Sequence, residues 1–125
     1  MIPYDKRSGK IWYNNELVEW SDVKVHVLSH GLHYGSCVFE GERVYDSSIF
    51  KLEEHTSRFF YSAKRMGFEI PYSETEINSA CNKIISVQNV QNGYVRPVAW
   101  RCSEMMAISA QQPKIHVAIA AWEWG

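Results

Sequence analysis

The 125-residue chain is 46% hydrophobic and 14% aromatic, enough for the packed core of one domain, and this excludes a mainly disordered chain. Its 13 basic and 14 acidic side chains are interspersed and give a formal net charge of -1, so there is no basic stripe for nucleic acid and no polybasic patch for a membrane. The partner expected is a small molecule or another protein. Cys37, Cys81 and Cys102 are odd in number, widely separated and without CxxC spacing. They indicate neither a disulfide framework nor a structural zinc site, and they favour a reducing, cytoplasmic setting. The N-terminus, Met1 to Arg7, has no apolar run after its charges, and no later segment has the uninterrupted apolar length of a membrane span.

Along the chain, Ile11-Trp12-Tyr13 and Glu16 to Trp20 flank Asn14-Asn15, a pair that tolerates left-handed backbone, and they predict a β-hairpin. Asp22 to Leu28 alternates and reads as a short strand or an extended approach to the glycine-containing segment after it. Ser29 to Ser36 reads as a glycine-punctuated loop, and from Cys37 to Tyr45 the alternation predicts one long strand. That strand puts Cys37, Phe39, Gly41, Arg43 and Tyr45 on one face and Val38, Glu40, Glu42 and Val44 on the other. Gly41 between Phe39 and Arg43 marks either a bulge or tight packing, or the close approach of a ligand. Asp46-Ser47-Ser48 turns the chain, and Ile49 to Leu52 is expected to return as a partner strand.

A helix is predicted from about Glu53 to Met66, with acidic residues in its first turn, Lys64 and Arg65 in its last, and Gly67 as its C-cap. A second helix begins after Ser73, which stands three residues before Glu76 as a capping box requires, and ends near Val90. From Tyr94 the period becomes two. Tyr94, Arg96, Val98, Trp100 and Cys102 share a face, and Pro97 sits inside the strand, where its missing N–H implies an edge, an irregularity or a place without need of a donor. Ser103 to Pro113 reads as a loop, and Lys114 to Trp122 as a last apolar strand. The sequence then closes on Trp122-Glu123-Trp124-Gly125, with two tryptophans and nothing after them to cover them, as expected of a piece cut at a domain boundary or of a terminus covered by a partner.

Three sets of side chains carry possible chemistry. His26, His30 and His33 lack a carboxylate or cysteine at metal-ligand spacing. Tyr94 and Arg96 place a hydroxyl and a forked guanidinium on one strand face, suited to a carboxylate or phosphate, or else to an interstrand ion pair. Arg58, on the flank of the first helix, either reaches an anion or stands on the surface. Glu40 and Glu42 point away from Phe39 and Arg43, no Cys–His or Ser–His–Asp set can be assembled from local spacing, and none of the lysines has the pattern of a desolvated nucleophile.

The order His33-Tyr34-Gly35-Ser36-Cys37-Val38-Phe39-Glu40-Gly41, then Arg43, Glu54-His55-Thr56-Ser57-Arg58 and Tyr94-Val95-Arg96-Pro97, resembles the N-terminal domain of branched-chain amino acid aminotransferases, pyridoxal-phosphate enzymes of class IV. The likeness runs from Ile11 to Gly125. It implies an α+β fold with a mainly antiparallel sheet and two amphipathic helices, with residues 1–121 as the small domain and 122–125 as the start of an interdomain linker. It also implies that Arg58 binds the cofactor phosphate, that Tyr94 and Arg96 hold substrate carboxylates, and that Phe39, Gly41 and Trp124 line the side-chain pocket, with Arg43 in the same wall. Tyr34 and the Met105–Ser109 loop would serve the pocket of a neighbouring subunit in a homodimer or higher homo-oligomer.

The reaction implied moves an amino group between leucine, isoleucine or valine and 2-oxoglutarate, giving glutamate. The Schiff-base lysine and the acid opposite the pyridine nitrogen lie in a second domain that these residues do not include, so no catalytic residue is expected in this chain and the polypeptide alone is expected to be inactive. Phe59 stands where the family usually has Leu, Cys37 where the residue is more often small and not a thiol, and Cys102 and Ala107 where close relatives tend to have Gly. Two other readings stand beside this one: a non-catalytic anion-binding or interaction module, and a D-amino acid aminotransferase, whose family shares the general layout.

Overall fold

A computed structural model describes residues 1–102 and 114–125. Among them the strands β1 (Lys10–Tyr13), β2 (Glu16–Glu19), β3 (Cys37–Phe39), β4 (Glu42–Tyr45), β5 (Ser48–Ile49), β6 (Gly93–Arg101) and β7 (Ile115–Glu123) form one antiparallel sheet. Its order is β2-β1-β7-β6-β4-β5, with β3 paired to β6 in line with β4. The helices α2 (Leu52–Arg65) and α3 (Glu74–Val87) cover one face. This is the α+β architecture expected, and the opposite face is only partly covered, by the segment that includes α1 (His30–Tyr34).

Local chemistry accounts for the elements. Asn14 and Asn15 take φ of 48° and 70°, the left-handed pair that a two-residue hairpin turn needs. The α2 helix ends in a Schellman arrangement, in which Gly67 at φ 83° lets Phe68 N–H reach Ala63 O and its own N–H reach Lys64 O. Ser73 Oγ accepts from Glu76 N while Glu76 Oε1 accepts from Ser73 N, the reciprocal capping box of α3. The apolar stripes of both helices, among them Phe59, Ala63, Ile77 and Ile84, meet Val95, Val117 and Ile119 of the sheet.

Two expectations need correction, and one left open is decided. Ser29 to Ser36 is not simply a loop, because His30–Tyr34 forms a short helix ended by Gly35 at φ 70°. Of the two readings of Asp22 to Leu28, the strand does not form: Asp22 closes a 3-10 turn (Trp20–Asp22), Val23 to His26 approach without ladder partners before a turn at Val27-Leu28, and Val25 and Val27 are exposed. The predicted long strand is interrupted at Glu40-Gly41, yet Cys37↔Trp100 and Val44↔Gly93 keep one unbroken register, so no bulge is inserted.

Pro97 explains that interruption. Glu40 N donates to Pro97 O at 3.0 Å, and in an antiparallel pair the two opposed residues normally exchange both bonds. Proline has no N–H to return, so the ladder lapses there while the side-chain alternation continues. Toward the helices stand Val38, Glu40, Glu42 and Val44, all buried; toward the open face stand Phe39, Gly41, Arg43 and Tyr45. The strand β7 continues through Glu123, two residues into the stretch read as the beginning of a linker.

Candidate active site

The open face is built where β4 and β3 meet β6 and β7. Register sets Gly41 opposite Arg96, Arg43 opposite Tyr94 and Tyr94 opposite Trp122, so the odd residues of β3 and β4 and the even residues of β6 and β7 share this face. Arg96 Nη2 donates to Tyr94 Oη at 2.7 Å, and the Arg96 guanidinium lies 4.1 Å from the ring centre of Phe39. Tyr94 packs against Trp122 and Trp124, with ring centres 5.1 and 5.2 Å away. Arg43 donates through Nη2 to Trp124 O at 3.1 Å and stands over that residue's ring.

Gly41 is what allows this convergence. A Cβ there would lie 1.9 Å from Tyr94 Oη, so the hydroxyl occupies the space of the missing side chain. Of the residues singled out in the sequence, Phe39, Gly41, Arg43, Tyr94, Arg96 and Trp124 therefore form one cluster. Phe39 is 56% exposed and Trp124 39%, so aromatic surface and two guanidinium groups face outward together. Arg96 Nε is buried without a hydrogen-bond partner, a donor that a carboxylate oxygen would satisfy. Beside the cluster runs a cleft of about 520 Å³, lined by Ile11, Leu32, Val98, Trp100 and Ala120, with Arg96 as its charged member.

Arg58 lies elsewhere. On α2 it meets the helix-facing side of the same strand, where Nε and Nη2 donate to Glu40 Oε2 and Oε1, each at 2.8 Å. His55 Nδ1 meets Glu40 Oε1 at 2.7 Å, and since an ionised carboxylate only accepts, Nδ1 carries the proton. Burial of Glu40 by itself would push its pKa up, but the hydrogen bonds from Arg58 and His55 hold it below the ordinary carboxylate value. Arg58, Lys51, Glu54 and His55 line a hollow of about 360 Å³.

The sequence reading left Glu40 and His55 without a role. A signal was present: His55 and Arg58 are three residues apart and share a helix flank, and Glu40 has the helix-facing parity of its strand. What no local pattern supplies is that this flank and that strand touch. Tyr34 is separate from the cluster, with its ring 4.6 Å from that of buried His30 and about half of its surface exposed. His30 Nδ1 pairs with Ser36 Oγ at 2.6 Å, His33 Nε2 with Val27 O at 2.7 Å, and His26 Nδ1 accepts from Leu28 N. The Met105–Ser109 loop and Ala107 lie outside the described residues.

An aromatic and cationic face beside an apolar cleft, on a sheet backed by two helices, is an arrangement for taking up a small anionic molecule with an apolar portion. The profile of the Amino-transferase class IV family matches residues 37–125, and the chain belongs to that family. It is 49% identical over 123 residues to the branched-chain-amino-acid aminotransferase of Pseudomonas aeruginosa, covering 95% of this chain and 40% of that protein. The Escherichia coli K12 branched-chain-amino-acid aminotransferase is 40% identical over 125 residues, at 96% and 40% coverage. A crystal structure of the E. coli enzyme superposes with a TM-score of 0.90 over 95% of this chain and 41% of that one. A T.th. branched-chain amino acid aminotransferase with pyridoxamine 5'-phosphate, 38% identical, also gives 0.90, over 95% and 41%. The chain thus spans about two-fifths of the length of the relatives it matches. Among the described residues no helix is long and apolar enough to cross a membrane.

Proposed function

We propose that these residues are the substrate- and phosphate-contacting part of a pyridoxal-phosphate-dependent aminotransferase that moves an amino group between leucine, isoleucine or valine and 2-oxoglutarate. The observation that carries the reading is the single cluster of Phe39, Gly41, Arg43, Tyr94, Arg96 and Trp124. Its two substrates differ in one respect: an aliphatic side chain needs dry, shaped surface, and a glutamate side chain needs a cation. Phe39, Trp124 and the apolar cleft lined by Ile11, Leu32, Val98, Trp100 and Ala120 provide the first. Arg96, oriented by Tyr94 and carrying a free Nε, provides the second.

The cofactor fits this chain at one end. Arg58 holds Glu40 with the edge formed by Nε and Nη2, and its side chain is 66% exposed, so the edge formed by Nη1 and the outer hydrogen of Nη2 is available to a phosphate. When bound, pyridoxal phosphate supplies the carbonyl and the electron sink that amino-group transfer requires. The amine that meets that carbonyl is not provided by this face: of the seven lysines, Lys10 pairs with Glu19, Lys51 with Glu54, and none belongs to the cluster. Residues 1–125 alone therefore do not transaminate; they act as a small domain that runs through the end of β7 at Glu123, after which the chain passes into a linker. Exposed Tyr34 reaches a neighbouring subunit of a cytoplasmic homodimer in the same reading.

The test uses the protein expressed from its complete reading frame, with pyridoxal phosphate, L-leucine and 2-oxoglutarate. Glutamate formation that Arg96→Ala reduces at least tenfold supports the reading. Turnover of D-amino acids in place of L-leucine overturns it in favour of a D-amino acid enzyme, and cofactor-independent anion binding without turnover favours a non-catalytic module. Glutamate made by residues 1–125 alone, above the enzyme-free control, overturns the division of labour.

A further inference from the structure

The geometry points to Glu40 as the positioning residue for the phosphate of the cofactor, acting through Arg58 and itself locked by His55. The inference rests on the reading that Arg58 meets that phosphate. Arg58 is a long side chain at a helix surface, and such a side chain has many rotamers and loses entropy when one is fixed. Here both hydrogen bonds that fix it go to one carboxylate. Glu40 is 4% exposed, both of its oxygens are engaged by Arg58, and Oε1 is shared with His55.

The choice of edge matters. A guanidinium offers a side edge, Nε with Nη2, and an end edge, Nη1 with Nη2, and each binds an oxyanion through two parallel bonds. Glu40 occupies the side edge, so a phosphate monoester can be met only by the end edge, at a fixed distance from α2. Glu40 is fixed in turn from the backbone, since its N–H is bonded to Pro97 O at the lapse in the ladder. The next residue, Gly41, lies under Tyr94 Oη. One dipeptide therefore ties the phosphate anchor on the helix side to the carboxylate-binding cluster on the open side, which fixes the spacing between cofactor and substrate contacts.

A carboxylate beside a cation ordinarily weakens that cation's pull on an anion. Positioning and simple charge thus predict opposite signs for the same substitution. The experiment measures dissociation constants for pyridoxal phosphate and for pyridoxal, which lacks the phosphate, by fluorescence titration of the protein expressed from its complete reading frame. The preference for pyridoxal phosphate over pyridoxal, taken as the ratio of the two affinities, reports the phosphate contact and cancels any general damage to the site. Arg58→Ala is expected to reduce that ratio at least tenfold, and Glu40→Gln at least fivefold, with pyridoxal affinity unchanged. If Arg58→Ala lowers the ratio and Glu40→Gln preserves or raises it, the positioning role is overturned. If Arg58→Ala leaves the ratio unchanged, the phosphate reading fails and takes the inference with it. Should Glu40→Gln not fold, Glu40→Asp keeps the charge and shortens the reach by one methylene. It is expected to lower the ratio two- to fivefold, and a wild-type ratio would overturn the role.

Discussion

Glu40, in the lapse between β3 and β4, and Glu42, at the start of β4, stand two residues apart, point to the same face and are both buried, yet their surroundings differ completely. Glu40 has three hydrogen bonds from Arg58 and His55 and is held below the ordinary carboxylate range. Glu42 is fully buried beside Val95 and α3, with no hydrogen-bond partner for either oxygen. Burial first, and the charge of Glu40 second, push its pKa up to about 8, against a small lowering by the Cys81 thiol. The thiol approaches without forming a hydrogen bond of ordinary geometry. Burial by itself therefore does not decide what a carboxylate does in this fold: donors on the facing helix do, and α2 supplies them where α3 does not.

The two groups also impose opposite pH dependence. For Glu40 the folded-state pKa lies below that of the unfolded chain, so its contribution is present above about pH 4.5 and is lost as pH falls through the lower, folded value. For Glu42 the folded value lies above the unfolded one. The folded protein keeps a proton that the unfolded chain releases, and stability falls as pH rises from 4.5 to about 8, then levels off. The loss is on the order of 5 kcal/mol at most.

The largest expected effect comes from removing the contrast. Glu42→Leu should abolish the alkaline loss and raise stability at pH 8 by several kcal/mol, read from urea unfolding between pH 5 and 9. A mutant that retains the wild-type slope would mean that Glu42 is not the group responsible. Next is the residue between the two carboxylates: Gly41→Ala forces the Tyr94 ring off Arg96 and should cost roughly 1–3 kcal/mol, with the loss of stability checked by thermal unfolding. Arg58→Ala should make Glu40 more like Glu42 by leaving it His55 alone, moving the acid limb of the stability profile, followed by urea unfolding, to higher pH. The smallest change is Cys81→Ser, which offers Glu42 a hydroxyl donor and should reduce the alkaline loss by about 1 kcal/mol or less in the same titration.

Much of the fold was legible because its signals are local. The Asn14-Asn15 turn, the Ser73–Glu76 box and the Gly67 cap depend on residues within a turn or two of each other, and the structure forms all three. The strand faces were legible as well, since alternation survived the lapse at Glu40-Gly41. The lapse itself was not, because its cause is Pro97, far along the chain and opposite only once β6 pairs with β3 and β4. The short helix at His30–Tyr34 was missed because His30 N–H bonds to Cys102 O and the helix packs on β6, contacts that a short sequence window cannot contain.

By itself the sequence determined which residues have the chemistry to meet an anion and which strand faces they occupy, because spacing along one chain sets parity. Tertiary structure decided which of them meet. It brought Phe39 to Arg96, put Tyr94 Oη into the space of Gly41, and gave Arg58 a buried carboxylate partner while leaving Glu42 without one. The physical reason is that register across strands and the docking of a helix flank on a sheet are fixed by packing over the whole core, and a side chain's charge and orientation follow from what that packing sets beside it.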